Sequence, residues 1–240
     1  MKKLRSDNIA FGIAPHINAA GRMGDAKVAA RLMLETKKND IDEQVRKLIT
    51  FNRERKNIQD KAFDECVAVI EDRYLGEPVI ILFNDNIHEG IAGIVAGKLK
   101  EKYQRPVIIV TPSGENLKGT GRSIPGVHLY ELLQQYEELF VRFGGHAGAC
   151  GFSMKPENYE LLCNSLNEEM HRRLEMDPGL LEIHEDAELI LEGSEVTLDL
   201  AKDLELLVPF GSQNPKPLFG LAQVEIKQVT PMGNGTHARF

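Results

Sequence analysis

Two short apolar runs, PVIILF (78–83) and RPVIIV (105–110), enclose the stretch HEGIAGIVAGKLKEKY (88–103), and nothing else in the chain constrains its fold as strongly. A run without an internal polar position has no face to give to water, so each reads as a strand buried on both sides. The stretch between them reads as a helix, whose small residues Ala92, Gly93, Ala96 and Gly97 permit close packing on a sheet. Further on, ENLKGTGRS (115–123) follows a Pro-Ser-Gly turn and reads as a strand, and HLYELLQQYEELF (128–140) as a helix. The glycine-rich RFGGHAGACGF (142–152) then leads through GFSM into the helical ENYELLCNSLNEEMHRRLE (157–175). Strands alternating with helices predict an α/β sandwich around a largely buried sheet.

Upstream, residues 40–71 contain neither proline nor glycine, which permits one long helix. Asp40 is a candidate N-cap, with Glu43 three places on. Apolar residues recur at 41, 45 and 48, then at 58, 62, 66 and 69, while NRERKNIQD (52–60) is polar on every face. Buried ends and a wet middle predict a strut joining two bodies. Before it, NIAFGIAPHINAAGRMGDAKVAARLML (8–34) predicts an apolar segment ending in a Gly-Arg turn, then a helix. Beyond Asp177-Pro178-Gly179 an acidic strand–helix region (185–208) is expected, followed by PFGSQNPKPLF. The tail predicts a hairpin turning at Gly233-Asn234-Gly235, and a lone hairpin is marginal in water, so it reads as the start of a further β-domain.

Charge and cysteine usage narrow the function classes. The net charge is −7, but residues 155–205 hold 15 of the 36 acidic residues and 4 of the 29 basic ones. The remainder therefore carries 21 acids against 25 bases and can offer a basic groove to phosphates. No apolar run approaches the roughly eighteen residues of a membrane span, and the N-terminus lacks the apolar core of a secretory signal. Cys66, Cys150 and Cys163 are odd in number, with no CxxC spacing, and are expected as reduced thiols of a cytoplasmic protein.

Three further stretches share the character of RFGGHAGACGF: NAAGR (18–22), HEGIAG (88–93) and GTGRS (119–123). Each sets glycine beside Arg, His, Asn, Ser or Thr at an expected element boundary. Glycines let backbone N–H groups approach an anion, arginine supplies a fork matched to phosphate oxygens, and histidine is a donor that can be neutral or charged. Together they predict a phosphate-cradling surface. Taken singly, NAAGR reads as a loop with a surface arginine, and GTGRS as a tight turn or a phosphate contact equally well. For His146 a buried, satisfied ring is the alternative, but the four glycines within 144–151 favour close approach of a ligand to the backbone.

In this order, IAPHINAAGRMGDA, IHEGIAGIVAGKL, KGTGRSI, FGGHAGACGFSM and PFGSQNPKPLF resemble the RecJ family of single-strand-specific DNA exonucleases, among the DHH/DHHA1 phosphodiesterases. The resemblance implies a DHHA1-type mixed sheet flanked by helices, preceded by a long connecting helix and followed by an OB-like domain. It divides the chain into 1–36 (tail of the DHH catalytic domain), 37–76 (connecting helix), 77–176 (DHHA1) and 177–240 (partial OB-like nucleic-acid-binding domain). It implies that Asn18, Arg22, His88, Thr120, Gly121, Arg122, Ser123, Gly144 and Gly145 bind substrate phosphate and that His146 faces the scissile bond. By the same resemblance the intact protein uses Mn2+ or Mg2+ to digest single-stranded DNA 5′ to 3′ in repair and recombination. Single-strand-binding protein or a helicase are the further partners it implies, with no membrane.

This sequence departs from the family pattern at His16 (usually arginine), Ile87 (commonly tryptophan) and Gln213 (glycine). It holds no Asp-His-His, and its one Asp-x-Asp, Asp40/Asp42, reads as first-turn helix charge. The metal ligands are therefore expected before residue 1, and this chain alone is expected to be inactive. Two other readings remain: a DHH/DHHA1 hydrolase of short oligonucleotides or cyclic dinucleotides, and a non-catalytic nucleic-acid-binding module.

Overall fold

The two apolar runs become neighbouring strands, β1 (Ile80–Phe83) and β2 (Val107–Ser113), paired in parallel through the crossover helix α4 (Glu89–Tyr103). Ahead of them lie α1 (Ala14–Met23), α2 (Lys27–Leu34) and the long α3 (Lys38–Arg73). After β2 come β3 (Asn116–Arg122), α5 (Leu129–Gln134), β4 (Phe140–His146), β5 (Ala149–Met154) and α6 (Tyr159–Met176). The sheet runs β1-β2-β3-β5-β4, antiparallel from β2 onward, and is therefore mixed. This is a computed structural model, and it describes residues 5–182, 187–211, 213–233 and 237–239. The chain divides into two compact units, 10–183 and 1–9 with 184–240.

Strand alternation sorts the sheet's side chains into two layers. Val79, Ile81, Ile108, Val110, Phe152 and Met154 face α5 and α6 and form one core with Leu132, Leu133, Leu162 and Leu166. Ile80, Leu82, Val107 and Ile109 face the other way, against Ile91, Val95 and Leu99 of α4 and Cys66 and Ile70 of α3. Each fully buried Ile or Leu side chain contributes about 1.5–3 kcal/mol. The layer of α3 and α4 covers β1 and β2 and reaches β3, where Gly93 lies against Thr120 and Arg122, but stops short of β5 and β4. On that face of β3, β5 and β4, Lys118, Arg142, Gly144, His146 and Gly151 are exposed.

Four expectations are corrected. Gly21 and Arg22 stand in the last turn of α1 rather than in a loop. The helix α3 is continuous as expected but starts at Lys38, with no side-chain cap, and Asp40 lies in its first turn. Its centre is not wet all round, because Asn52 and Gln59 are buried, at 4% and 5% exposure. Seven residues is two helical turns, so both lie on the face that α3 turns inward. Lastly, the helix expected over 128–140 stops at Gln134, and the chain re-forms as β4. There Phe140 stacks on Phe152 with centroids 4.6 Å apart, and Phe143 on Tyr130 at 4.9 Å. A helix would have taken Phe140 out of that aromatic layer.

In the second unit, β6 (Leu189–Leu191) pairs in parallel with β7 (Phe219–Leu221), and α7 (Leu198–Glu205) is capped by Thr197 Oγ1. These fall in the expected strand–helix region and beyond it. Asn214 Nδ2 donates to the carbonyls of Leu207 (2.7 Å) and Pro209 (3.0 Å), so the PFG–NP segment is a loop tied by one amide. β8 (Thr230–Met232) pairs antiparallel with β9 (His237–Arg239), as the hairpin requires. Asn234 and Gly235 of its expected turn lie outside the described residues. Among the described residues, no helix is long and apolar enough to cross a membrane.

Candidate functional site

The first turn of α4 gathers three of the four glycine-rich stretches. His88 is the N-cap, and its Nδ1 accepts the backbone N–H of Gly90 at 3.0 Å. A neutral ring with Nδ1 accepting carries its proton on Nε2, which becomes the outward donor. Arg22, reaching from α1, donates from Nη1 to the Gly90 carbonyl at 2.6 Å. From β3, Arg122 lies over Gly93: a Cβ at Gly93 would sit 2.7 Å from Arg122 Nη2 and 3.2 Å from Thr120 Cγ2. The missing side chain at Gly93 thus makes room for a protein guanidinium. A helix N-terminus already carries partial positive charge, and two arginines are added to it. Burial first, and the charge of Arg22 second, lower the Arg122 pKa.

Sheet register brings in the fourth stretch. Arg122 pairs with Ala149, and Ala149 with His146; Thr120 pairs with Gly151, and Gly151 with Gly144. Lys118, Ser153 and Arg142 make the next row. Directly paired residues share a face, so all nine positions lie on the α4 side of the sheet, with Thr120 and Arg122 at the edge of α4 and the β5 and β4 positions beyond it. Arg122 and His146 are two strand spacings, about 10 Å, apart at their Cα atoms. The middle strand supplies only Ala149, Gly151 and Ser153, a low floor between two rows that carry the cations. Over it lies an open cleft of about 500 Å³ lined by Asn116, Lys118, Thr120, Arg142, Gly151 and Ser153 among others. Lys118 is ion-paired with Glu89 at 2.7 Å. Lys118 and Arg142 escaped the sequence reading. The signal was their two-residue spacing from Thr120 and Gly144, usable only once both segments are known to be strands.

The individual residues sort clearly. His146 is exposed, with Nδ1 accepting the Gly148 N–H at 3.2 Å, which leaves Nε2–H outward as at His88. A buried ring does not describe it. Asn18 is exposed on α1. Ser123 is buried, and its Oγ donates to the Val127 carbonyl at 2.7 Å, a bond internal to its turn. Gly121 and Gly145 have reasons inside the fold. A Cβ at Gly121 would lie 2.7 Å from Leu129 Cδ2, while Gly145 has φ +154° and no room beside Ala149 and Cys150. At Gly144 a Cβ would meet nothing within 4 Å. Of the glycines in RFGGHAGACGF, Gly144 is the one whose added side chain would project only into open space on the cleft side.

Other chemistry is not supported by these side chains. Burial pushes the thiols of Cys66 and Cys163 up to about 11, and that of Cys150 upward, so none is poised as a nucleophile. Among the described residues, no group of three or more His, Cys, Asp or Glu could hold a metal ion. The described residues therefore do not fit a two-metal centre.

With this geometry in hand, comparison with known proteins is specific. A DHHA1 domain model matches residues 76–172, and a RecJ OB domain model matches 186–240. The chain is 31% identical over 227 residues to the single-stranded-DNA-specific exonuclease RecJ of Escherichia coli, covering 91% of this chain and 39% of that protein. The crystal structure of RecJ in complex with Mn2+ from Thermus thermophilus superposes with a TM-score of 0.79 at 28% identity, over 98% of this chain and 34% of that one. The Mg2+ complex from the same organism gives 0.73 at 29% identity, over 90% and 33%. The chain thus spans about a third of the length of the relatives it matches.

Proposed function

Because this chain carries a DHHA1 domain followed by a RecJ OB domain and corresponds to the C-terminal portion of RecJ, we propose that it is the phosphate-gripping wall of a single-strand-specific DNA exonuclease. The observation that supports this best is the row Arg122–Ala149–His146, which runs from the N-terminal end of α4 onto the uncovered part of the sheet face. Arg22 and Arg122 neutralise backbone phosphate. The Nε2–H donors of His88 and His146 orient its non-bridging oxygens, with His146 nearest the scissile bond. Thr120 and Gly144 let the strand lie close to the sheet, and Asn18, Gly121, Ser123 and Gly145 complete the surface through their backbone or through the turns they hold.

In the whole protein the reaction is 5′ to 3′ release of nucleotides with Mn2+ or Mg2+, in repair and recombination in the cytoplasm, alongside single-strand-binding protein or a helicase. Within this chain we assign 1–36 to the tail of the catalytic domain, 37–76 to the connecting helix, 77–176 to the DHHA1 domain and 177–240 to the OB-like domain. The RecJ OB match favours a polymeric strand over a dinucleotide as ligand.

The test is binding followed by turnover. The isolated chain should bind single-stranded oligodeoxynucleotides with an affinity that falls steeply with salt, and should release no nucleotides from them in Mn2+. Equal affinity for a dinucleotide, or binding indifferent to salt, would overturn the polymer reading. Sustained nucleotide release by the purified chain would overturn the assignment of catalysis to other parts of the protein.

A further inference from the structure

The buried polar residues at the centre of α3 have a purpose that a strut does not explain. Asn52 Oδ1 accepts from Arg55 Nε (3.3 Å) and Nη2 (3.0 Å), and Gln59 Oε1 accepts from Arg55 Nη1 at 2.8 Å. Two nearly inaccessible amides are thus spent on fixing one half-buried guanidinium. Both acceptors are neutral, so the clamp orients the charge without cancelling it. The carboxylate that bears on Arg55, Asp60, is already paired with Lys98 at 2.8 Å. Burial and, after it, the charge of Arg22 lower the Arg55 pKa, and the same Arg22 acts on Arg122. On α3, Arg55 lies between Leu48 and Phe51, which pack with α1 and α2, and Ala62 and Phe63, which pack with α4, and between α1 and α4 Arg22 reaches Gly90. Arg22 therefore stands in the field of both Arg55 and Arg122. Holding like charges together costs free energy that a bound anion returns.

We propose that Arg55 is a third phosphate-binding arginine of this surface, held ready by Asn52 and Gln59 on the inward face of α3. The proposal rests on the phosphate-surface reading above and deepens it: the connecting helix takes part in gripping the strand. Three of the five N–H groups of Arg55 are committed to the clamp, leaving one on each Nη for a phosphodiester oxygen. Pre-orientation lowers the entropy lost on binding, which a freely rotating surface arginine would lose in full.

The experiment measures binding of a fluorescent single-stranded oligothymidylate of about fifteen nucleotides to the full 240-residue chain across a salt series. Arg55→Gln should weaken binding about tenfold near 100 mM salt and make the log–log salt slope shallower by about 0.7, the loss of one single-strand phosphate contact. Arg55→Lys, which keeps the charge but not the fork, should restore the slope and recover only part of the affinity. Arg53→Gln, on an exposed face of the same helix, should change neither affinity nor slope beyond the assay error. Circular dichroism reads the fold of each variant, and if Arg55→Gln does not fold, Arg55→Lys against wild type decides. Arg55 variants that bind with wild-type affinity and slope, while Arg122→Gln weakens binding, would overturn the proposal and leave the function reading standing. Wild type that does not bind the oligonucleotide at all would overturn the function reading, and this proposal with it.

Discussion

The two halves of the five-stranded sheet have the same backbone and opposite chemistry. In β1 and β2 every residue from Ile80 to Leu82 and from Val107 to Val110 is buried, because helices lie on both sides. In β5 and β4 only one side is covered, because α4 reaches no further than β3, where Gly93 lies against Thr120 and Arg122; that side carries Lys118, Arg122, Arg142 and His146 around a floor of small residues. The boundary runs along β3: Ile109 on β2 is fully buried, Thr120 beside it is half-exposed at the edge of α4, and Gly151 beyond it on β5 is exposed. What a sheet can bind is thus decided by where its covering helix ends.

The largest effect should separate those two partners. Ile109→Ala removes buried volume from the α4 layer and should cost about 4 kcal/mol in urea unfolding, whereas Thr120→Ala should cost under about 1 kcal/mol. Similar losses at both positions would erase the distinction between the halves. Next comes the glycine pair. Gly145→Ala forces a side chain into a left-handed backbone and against Cys150, for about 2–3 kcal/mol, while Gly144→Ala should stay within about 1 kcal/mol of wild type. Gly144→Ala should nonetheless weaken oligonucleotide binding.

A smaller effect sharpens the comparison at its seam. Gly93→Ala must push the Arg122 guanidinium aside, so binding should fall several-fold while the unfolding midpoint barely moves. The smallest effect lies on the covered side. Hydrogen bonds from Arg172 and then Arg173 hold the Glu169 carboxyl down to about 2. A depressed carboxylate adds stability that is fully present above its unfolded value near 4.5 and is lost as pH falls toward 2. The stability gap between wild type and Glu169→Gln should therefore be largest above about pH 5 and close between about pH 4.5 and 2.

How far the sequence could be read follows the same division. The doubly covered strands and α4 were legible because unbroken apolar runs and helical spacing have few other solutions. β4 was not, since two adjacent glycines lower strand propensity and the reason for Gly145 lies in β5. The polar centre of α3 was misread for a related reason. Asn52, Arg55 and Gln59 form a clamp only when they lie together on an inward face, and a polar residue inside a site has the same letter as one in water. The convergence of NAAGR, HEGIAG and GTGRS at Gly90 and Gly93 was expected only as a shared surface. The contacts themselves depend on α1 and β3 meeting at one helix turn.

Arg122 and His146 are brought level by hydrogen-bond register alone, through β5 and the two-residue turn at Ala147-Gly148. Side chains alternate with a period of two, so adding or removing one residue in β5 would turn every partner beyond it to the opposite side of the sheet. The strand behaves like a reading frame. Substitutions along it are local errors whose effects stay where they occur, whereas a one-residue insertion between Ala149 and Ser153 is a frameshift in space, placing His146 on the wrong face while every amino acid of the site is retained.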